Sequence, residues 1–366
     1  MQSSNDRPPT QDPAPDARTR RVRRAPLWLL LLCALLALLV FRPDIRAPAA
    51  SWAASSARHL LFDVAGVSPR TVYSWRLRVA GLYNRPLGRA WQQAVERAQD
   101  KANVFDRRYA SRLDFPADTV SAKVLTTHLQ RGQALQWRLR RDDASQSDAG
   151  QLYASLEYRQ DSTTSSTTDA RPGWQHLAEL TPDDTTHRQV AAQTGDYRLV
   201  FQPELSASVH AALAVAAGGS IDMPVVGARP QDIGGGFGVA RDGGKRSHKG
   251  VDIFAARNTP VRAVIDGRAL TGNGGLGGHY IFLSGGLVDG LRSANYYYAH
   301  LDHFAVANGE HVTTGDVLGY VGNSGNAAGG PPHLHFGIYT AGGAVDPAPF
   351  IAPMLSLPTL PATSQR

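Results

Sequence analysis

The stretch "PPHLHFGI", Pro331–Ile338, puts His333 and His335 two positions apart in a run that reads as a β-strand. Side chains two apart on a strand point to the same face, so both imidazoles look into one place. Around this stretch the composition is unlike the rest of the chain. Twenty-six of the thirty-six glycines lie between Gln231 and Asp346, a density that belongs to a tightly turned all-β domain. "VRAVIDGRALTG" (261–272) carries an Asp266-Gly267 turn between two strands, "HYIFLSGG" (279–286) and "NYYYAHL" (295–301) read as further strands, and "VTTGDVLGYVG" (312–322) holds two short ones.

Seven of the twelve histidines fall between His248 and His335. In "RSHKGVDIF" (246–254), His248 and Asp252 are spaced i, i+4, which suits a chain leaving a loop at His248 and entering a strand at Val251. "YYYAHLD" (296–302) places His300 at a strand end. His248, Asp252, His300, His333 and His335 are therefore the candidates to converge. Neutral imidazoles plus a carboxylate are a common zinc ligand set, and a catalytic zinc keeps three protein ligands and one position for water. Five candidates exceed that number, which leaves two histidines for proton transfer.

"SHKGVDIF", "YYYAHLD", "VTTGDVLGYVGNSG" and "PPHLHFGIY", in this order, resemble the lysostaphin-like, LytM-domain family of zinc metallopeptidases, which hydrolyse peptide bonds of peptidoglycan. The resemblance covers Asp222 to Ile351, about a third of the chain. It implies one Zn2+ bound by His248, Asp252 and His335, with His300 and His333 as the catalytic histidines. It also implies a zinc-dependent endopeptidase that cleaves peptide cross-links or stem peptides of peptidoglycan in the cell envelope, by zinc-activated water with two assisting histidines. Which of the two is the general base stays open. No member of the set is missing, which argues against the degenerate members that act as activators or scaffolds. A non-enzymatic regulator of the same fold, and a non-haem iron oxygenase with two histidines and a carboxylate, are the competing readings. His279, beginning a strand after a glycine loop, and Arg246, preceding His248, are candidate substrate contacts. "GNGGLGG" (272–278) lacks the Lys-Ser/Thr of a phosphate loop and reads as a cleft wall.

The remainder of the 366 residues suggests a second domain and an export segment. The net charge of +7 is unevenly placed: residues 1–41 hold six arginines against three aspartates. The later part has no basic stripe with interleaved aromatics, so nucleic acid is not an expected partner. Residues 1–24 read as a disordered basic cytoplasmic tail. Residues 25–41, "APLWLLLLCALLALLVF", form an uncharged run at the short end of a bilayer span, with five arginines in 18–24 before it. This favours a single-pass signal-anchor in the inner membrane, with the C-terminal domains on the periplasmic side; the alternative is secretion after cleavage near Ala49. Cys33, the only cysteine, lies inside this run, so the exported part is free of thiols. Residues 42–116 read as linker and helical segment, with Trp91, Val95, Ala98 and Ala102 on one helix face. Residues 117–218 read as a small β-sandwich-like accessory domain and a candidate surface for an envelope protein partner, 222–351 as the peptidase domain, and 352–366 as a disordered tail. The expected architecture is thus mainly β: anchor and helical segment, β-sandwich, and a C-terminal Gly-rich antiparallel β metallopeptidase domain.

Overall fold

The computed structural model describes residues 67–142, 150–161, 173–285 and 294–362. The run 25–41 and residues 162–172, "STTSSTTDARP", whose composition reads as an exposed loop, lie outside the described residues. Among the described residues no helix is long and apolar enough to cross a membrane.

Two helices open the described chain. Pro69–Val79 starts at Ser68, whose Oγ accepts from the Thr71 amide at 3.2 Å, and both helices begin with proline, whose missing amide hydrogen costs nothing there. In Pro86–Gln99, Trp91, Ala94 and Val95 are buried. Trp91 Nε1 donates to the Pro203 carbonyl at 2.8 Å, and Val95 packs with Val124 and Val200 of the adjacent sheet. The helical pattern ends at Gln99, short of 116, because Arg108–Phe115 is already a strand. It pairs antiparallel with Val209–Gly219 and buries Leu113 and Phe115 on alternate positions.

The β-sandwich has a five-stranded sheet in the order 103–104, 123–129, 195–203, 152–160, 175–179 and a four-stranded sheet in the order 108–115, 209–219, 133–141, 183–190. Phe115, Leu135, Leu139, Leu156, Leu199, Phe201 and Leu213 fill the space between them. Asp183–Val190, "DDTTHRQV", is a solvent-facing edge strand whose polar sequence carries no apolar alternation to signal it.

After Gly219 the chain enters the glycine-rich domain. Its largest sheet runs 233–235, 251–254, 333–340, 295–304, 278–284, 267–274, 310–312, with 260–262 and 317–321 pairing beside it. Strand His333–Thr340 is central, antiparallel to both Val251–Phe254 and Asn295–Phe304. One face of these strands is core: Ile253, Ile281, Leu283, Tyr296, Tyr298, Leu334, Phe336 and Ile338 are fully buried. The opposite face carries the candidate site.

Residues 352–362, the described part of the expected tail, are not loose. Residues 352–362 run as an extended strap against the sandwich. A Cβ on Gly219 would collide with the carbonyls of Ala352 and Phe350, so only glycine admits this backbone approach. Arg140 Nη2 donates to the Pro361 carbonyl at 3.2 Å and Arg112 Nη1 to that of Ala362 at 2.5 Å. These guanidinium contacts hold a segment whose composition alone reads as disordered.

Candidate metal centre

Strand register brings the central residues together. Asp252 lies directly opposite His335, and Phe254 opposite His333, in the antiparallel pair of Val251–Phe254 with His333–Thr340. His248 arrives from the hairpin 240–241/246–247, fixed by mutual backbone hydrogen bonds: its amide donates to the Val239 carbonyl and its carbonyl accepts from Gly238, both at 2.9 Å. His248 Nε2, Asp252 Oδ1 and His335 Nδ1 form a triangle with sides of 2.9, 3.0 and 3.1 Å. They form a group able to hold a metal ion.

Hydrogen bonding at the rear orients the first two groups. His248 Nδ1–H donates to the Gly236 carbonyl at 2.7 Å, leaving the Nε2 lone pair facing inward. Arg241 Nη2 donates to Asp252 Oδ2 at 2.6 Å, so Oδ1 is the oxygen presented to the histidines. Lone pairs crowded at about 3 Å repel unless a cation sits among them. Tetrahedral zinc with bonds of 2.0–2.1 Å has ligand–ligand edges of roughly 3.3 Å, close to those of this triangle. The donor set therefore fits a zinc ion. With no metal bound, a proton carried by His248 or His335 is shared with Asp252: burial works to raise that carboxyl, but these hydrogen bonds and charges outweigh it and hold the group well below the usual carboxylate range.

His300 and His333 complete the cluster, their ring centroids 5.0 Å apart and that of His300 6.0 Å from that of His335. His300 is not at a strand end. It lies inside Asn295–Phe304, where by alternation with Tyr296 and Tyr298 it would point into the core. A bulge prevents this: His279 pairs with Leu301 but Ile281 with Tyr298, so Ala299 and His300 together oppose Tyr280. His300 takes φ +62°, unusual for a residue with a side chain, and turns to the site face. Its Nδ1–H donates to the Ser324 carbonyl at 2.9 Å, and His333 Nδ1–H to the Pro331 carbonyl at 3.0 Å. Both Nε2 atoms are thus left as acceptors, that of His333 standing 3.9 Å from Asp252 Oδ1. Burial pushes the His300 imidazole down to about 4, and burial lowers His335 as well.

Residues 246–347 match the Peptidase family M23. The chain carries an M23 domain. Over 128 residues it is 38% identical to an L-Ala--D-Glu endopeptidase of Bacillus subtilis, covering 31% of this chain and 38% of that protein. Over 111 residues it is 39% identical to the DD-carboxypeptidase/endopeptidase Mpg of Neisseria meningitidis, covering 30% and 24% respectively. The chain therefore spans well under half the length of either relative. Among solved structures, the catalytic domain of lysostaphin from Staphylococcus simulans aligns at 31% identity over 33% of this chain and 94% of that one, with a TM-score of 0.29.

The M23 domain brings five of the seven sequence candidates into one cluster and leaves two outside it. His279 is tied to local backbone: its Nδ1 lies 3.0 Å from the Asp302 carbonyl, and its amide donates to Ser324 Oγ at 2.9 Å. Arg246 stands exposed in the hairpin opposite Arg241. "GNGGLGG" is the tip of a hairpin, and the Gly277 carbonyl accepts the His300 amide at 2.8 Å. The histidines of the sandwich face carboxylates: His128 with Asp196, His176 with Glu179, His187 with Asp183 and His210 with Asp114. Sequence reasoning missed Arg241, Ser324 and Gly250 in the M23 domain. Gly250 and Ser324 sat inside the quoted "SHKGVDIF" and "VTTGDVLGYVGNSG", and Gly250 carried a signal as the small residue between two site residues; a Cβ there would meet the His335 ring at 2.9 Å and strike the Phe336 carbonyl.

Proposed function

We propose that this chain is a zinc-dependent endopeptidase acting on peptide cross-links or stem peptides of peptidoglycan. The observation that carries the reading is the convergence of three lone-pair donors, His248 Nε2, Asp252 Oδ1 and His335 Nδ1, beside two further histidines with bare Nε2 atoms. The relatives named above, endopeptidases by their descriptions, supply the substrate class. Residues 25–41, read from composition alone, would hold the domain at the outer face of the inner membrane.

One Zn2+ bound there would supply a Lewis acid and bring a water toward ionisation near pH 7. His333, whose Nε2 faces the ligand set, is the general base: it takes a proton from the attacking water and returns it to the leaving amine, a role typically worth ~10²–10⁴-fold. His300 is neutral at pH 7 and its Nδ1–H is already committed to Ser324. It therefore accepts a hydrogen bond at Nε2 from the substrate or the attacking water, and donates toward developing negative charge only after taking up a proton. The bulge and the Ser324 carbonyl fix that ring in place before substrate arrives.

The test is digestion of purified peptidoglycan by the full-length protein, with mass analysis of the fragments and metal analysis of protein purified without added metal. New amino termini within the peptides, abolished by a chelator and restored by zinc, are expected. An untouched sacculus with zinc bound would refute the hydrolase reading, and stoichiometric iron would refute the zinc reading.

A further inference from the structure

The two N-terminal helices expose a patch that neither core uses. On helix Pro69–Val79 the inner face is Arg70, Tyr73 and Leu77: Arg70 Nε donates to Gln202 at 2.6 Å, Tyr73 packs on Trp91, and Leu77 is buried. Trp75 and Val79, spaced i, i+4, point the other way and are 47% and 70% exposed. In the turn and the start of the next helix, Leu82 and Leu87 are 43% and 58% exposed. Four large apolar side chains within thirteen residues are thus left in water.

The charge of this region is one-sided. Residues 67–95 contain no aspartate or glutamate and five arginines. Four of these, Arg76, Arg78, Arg85 and Arg89, are exposed. Two fold around the turn: Arg78 lies over the Tyr83 ring at 4.2 Å and donates to its hydroxyl at 2.9 Å, and Arg89 donates to the Asn84 carbonyl at 2.8 Å. Arg78, Gly81, Tyr83 and Asn84 line a recess of about 280 Å³. The uncharged run Ala25–Phe41 ends 26 residues before Val67 in the chain.

We propose that this helical turn docks on an anionic phospholipid surface. Trp75, Val79, Leu82 and Leu87 enter the interface, Arg76, Arg78, Arg85 and Arg89 pair with headgroup phosphates, and the recess beneath Arg78 accepts one phosphate. Aromatic and aliphatic side chains interleaved with arginine, in a stretch of chain without an acid until Glu96, are the composition that binds such interfaces. A protein partner would need no such exclusion of acidic residues. The consequence is positional: docking here holds the sandwich and M23 domain near the bilayer.

The test reads location and is independent of zinc and of hydrolysis. In the full chain with Cys33→Ser, Val79→Cys is labelled with an environment-sensitive fluorophore, and Leu177→Cys, on the sandwich edge, serves as control. Both are mixed with vesicles rich in phosphatidylglycerol, or with phosphatidylcholine vesicles, each carrying lipid-borne quencher. In the anionic vesicles at low salt the label at position 79 is expected to be quenched and that at 177 not. At about fivefold per arginine, Arg76→Gln with Arg85→Gln should lower the docked-to-undocked ratio roughly 25-fold, and high salt should weaken docking without any variant. An unquenched label at position 79 overturns the proposal, whether or not the parent protein, labelled separately at Cys33, is quenched. Equal quenching in neutral vesicles with no effect of the double variant overturns it too, as does protection only after peptidoglycan fragments or a protein is added.

Discussion

Replacing Gly250 by alanine should damage both the fold and the metal centre, and the structure sets the size of each effect. A Cβ at this position would sit 2.9 Å from Cε1 and from Nε2 of His335 and would strike the Phe336 carbonyl. Non-bonded carbon contacts are comfortable at about 3.5–4.0 Å, so the ring must retreat by roughly 0.6 Å or more. It has little room, because His333–Thr340 is pinned between two neighbouring strands. Overpacking of this kind costs about 1–3 kcal/mol of stability. A displacement above about 0.5 Å exceeds the tolerance of a working site, so zinc affinity should fall by roughly 10²-fold. Gly236→Ala is the control: its Cβ would find nothing nearer than Val239 Cγ2 at 3.8 Å, although the Gly236 carbonyl holds His248. Urea unfolding of the metal-free protein and competition for zinc against a chromogenic chelator measure the two effects separately. A Gly250→Ala protein as stable and as tightly zinc-binding as its parent would refute the packing described around His335.

His335→Ala should lose zinc, whereas His333→Ala should retain it within about threefold and lose ~10²–10⁴-fold in turnover; equal loss of zinc would show that the two histidines share one role. The His300 value in the fold, about 4, lies below the ~6.5 of an unfolded chain. The unfolded state therefore takes the proton first as pH falls: stability is complete above about pH 6.5 and declines between ~6.5 and ~4 by up to ~1.4 kcal/mol per pH unit. His335 adds to the same decline, while the depressed Asp252 loses its contribution only below about pH 4. His300→Asn, which tolerates the left-handed backbone, should flatten this slope in chelator-treated protein, and an unchanged slope would contradict the buried neutral imidazole. Deleting residues 352–366 should lower stability by about 1–3 kcal/mol, because it removes two guanidinium–carbonyl bonds and the apolar packing of the strap on the sandwich; calorimetry showing an unaltered transition would mean that the strap does not clamp the sandwich.

The sandwich strands that are legible in the sequence are the ones with alternating apolar residues, such as "QALQWRLRR" and "YRLVFQPEL", because burying one face leaves a period of two. Asp183–Val190 leaves no such trace, since both of its faces meet water or polar groups over most of its length. The strap 352–362 escapes a reading by composition for a related reason: it is ordered by glycine approach and arginine contacts supplied from elsewhere, not by any pattern of its own.

At the site, the amino-acid sequence by itself determined the residue types, the shared face of His333 and His335, and the resemblance that assigned roles to five side chains. Those rest on local periodicity and motif order, which a linear chain displays. The tertiary structure decided what depends on pairing between distant strands. It set Asp252 opposite His335, chose Arg241 as the partner of Asp252 Oδ2, and through a one-residue bulge turned His300 from the core to the metal face. Alternation alone would have buried His300 beside Tyr296 and Tyr298. The register of the neighbouring strand, a property of two segments together, overrules it.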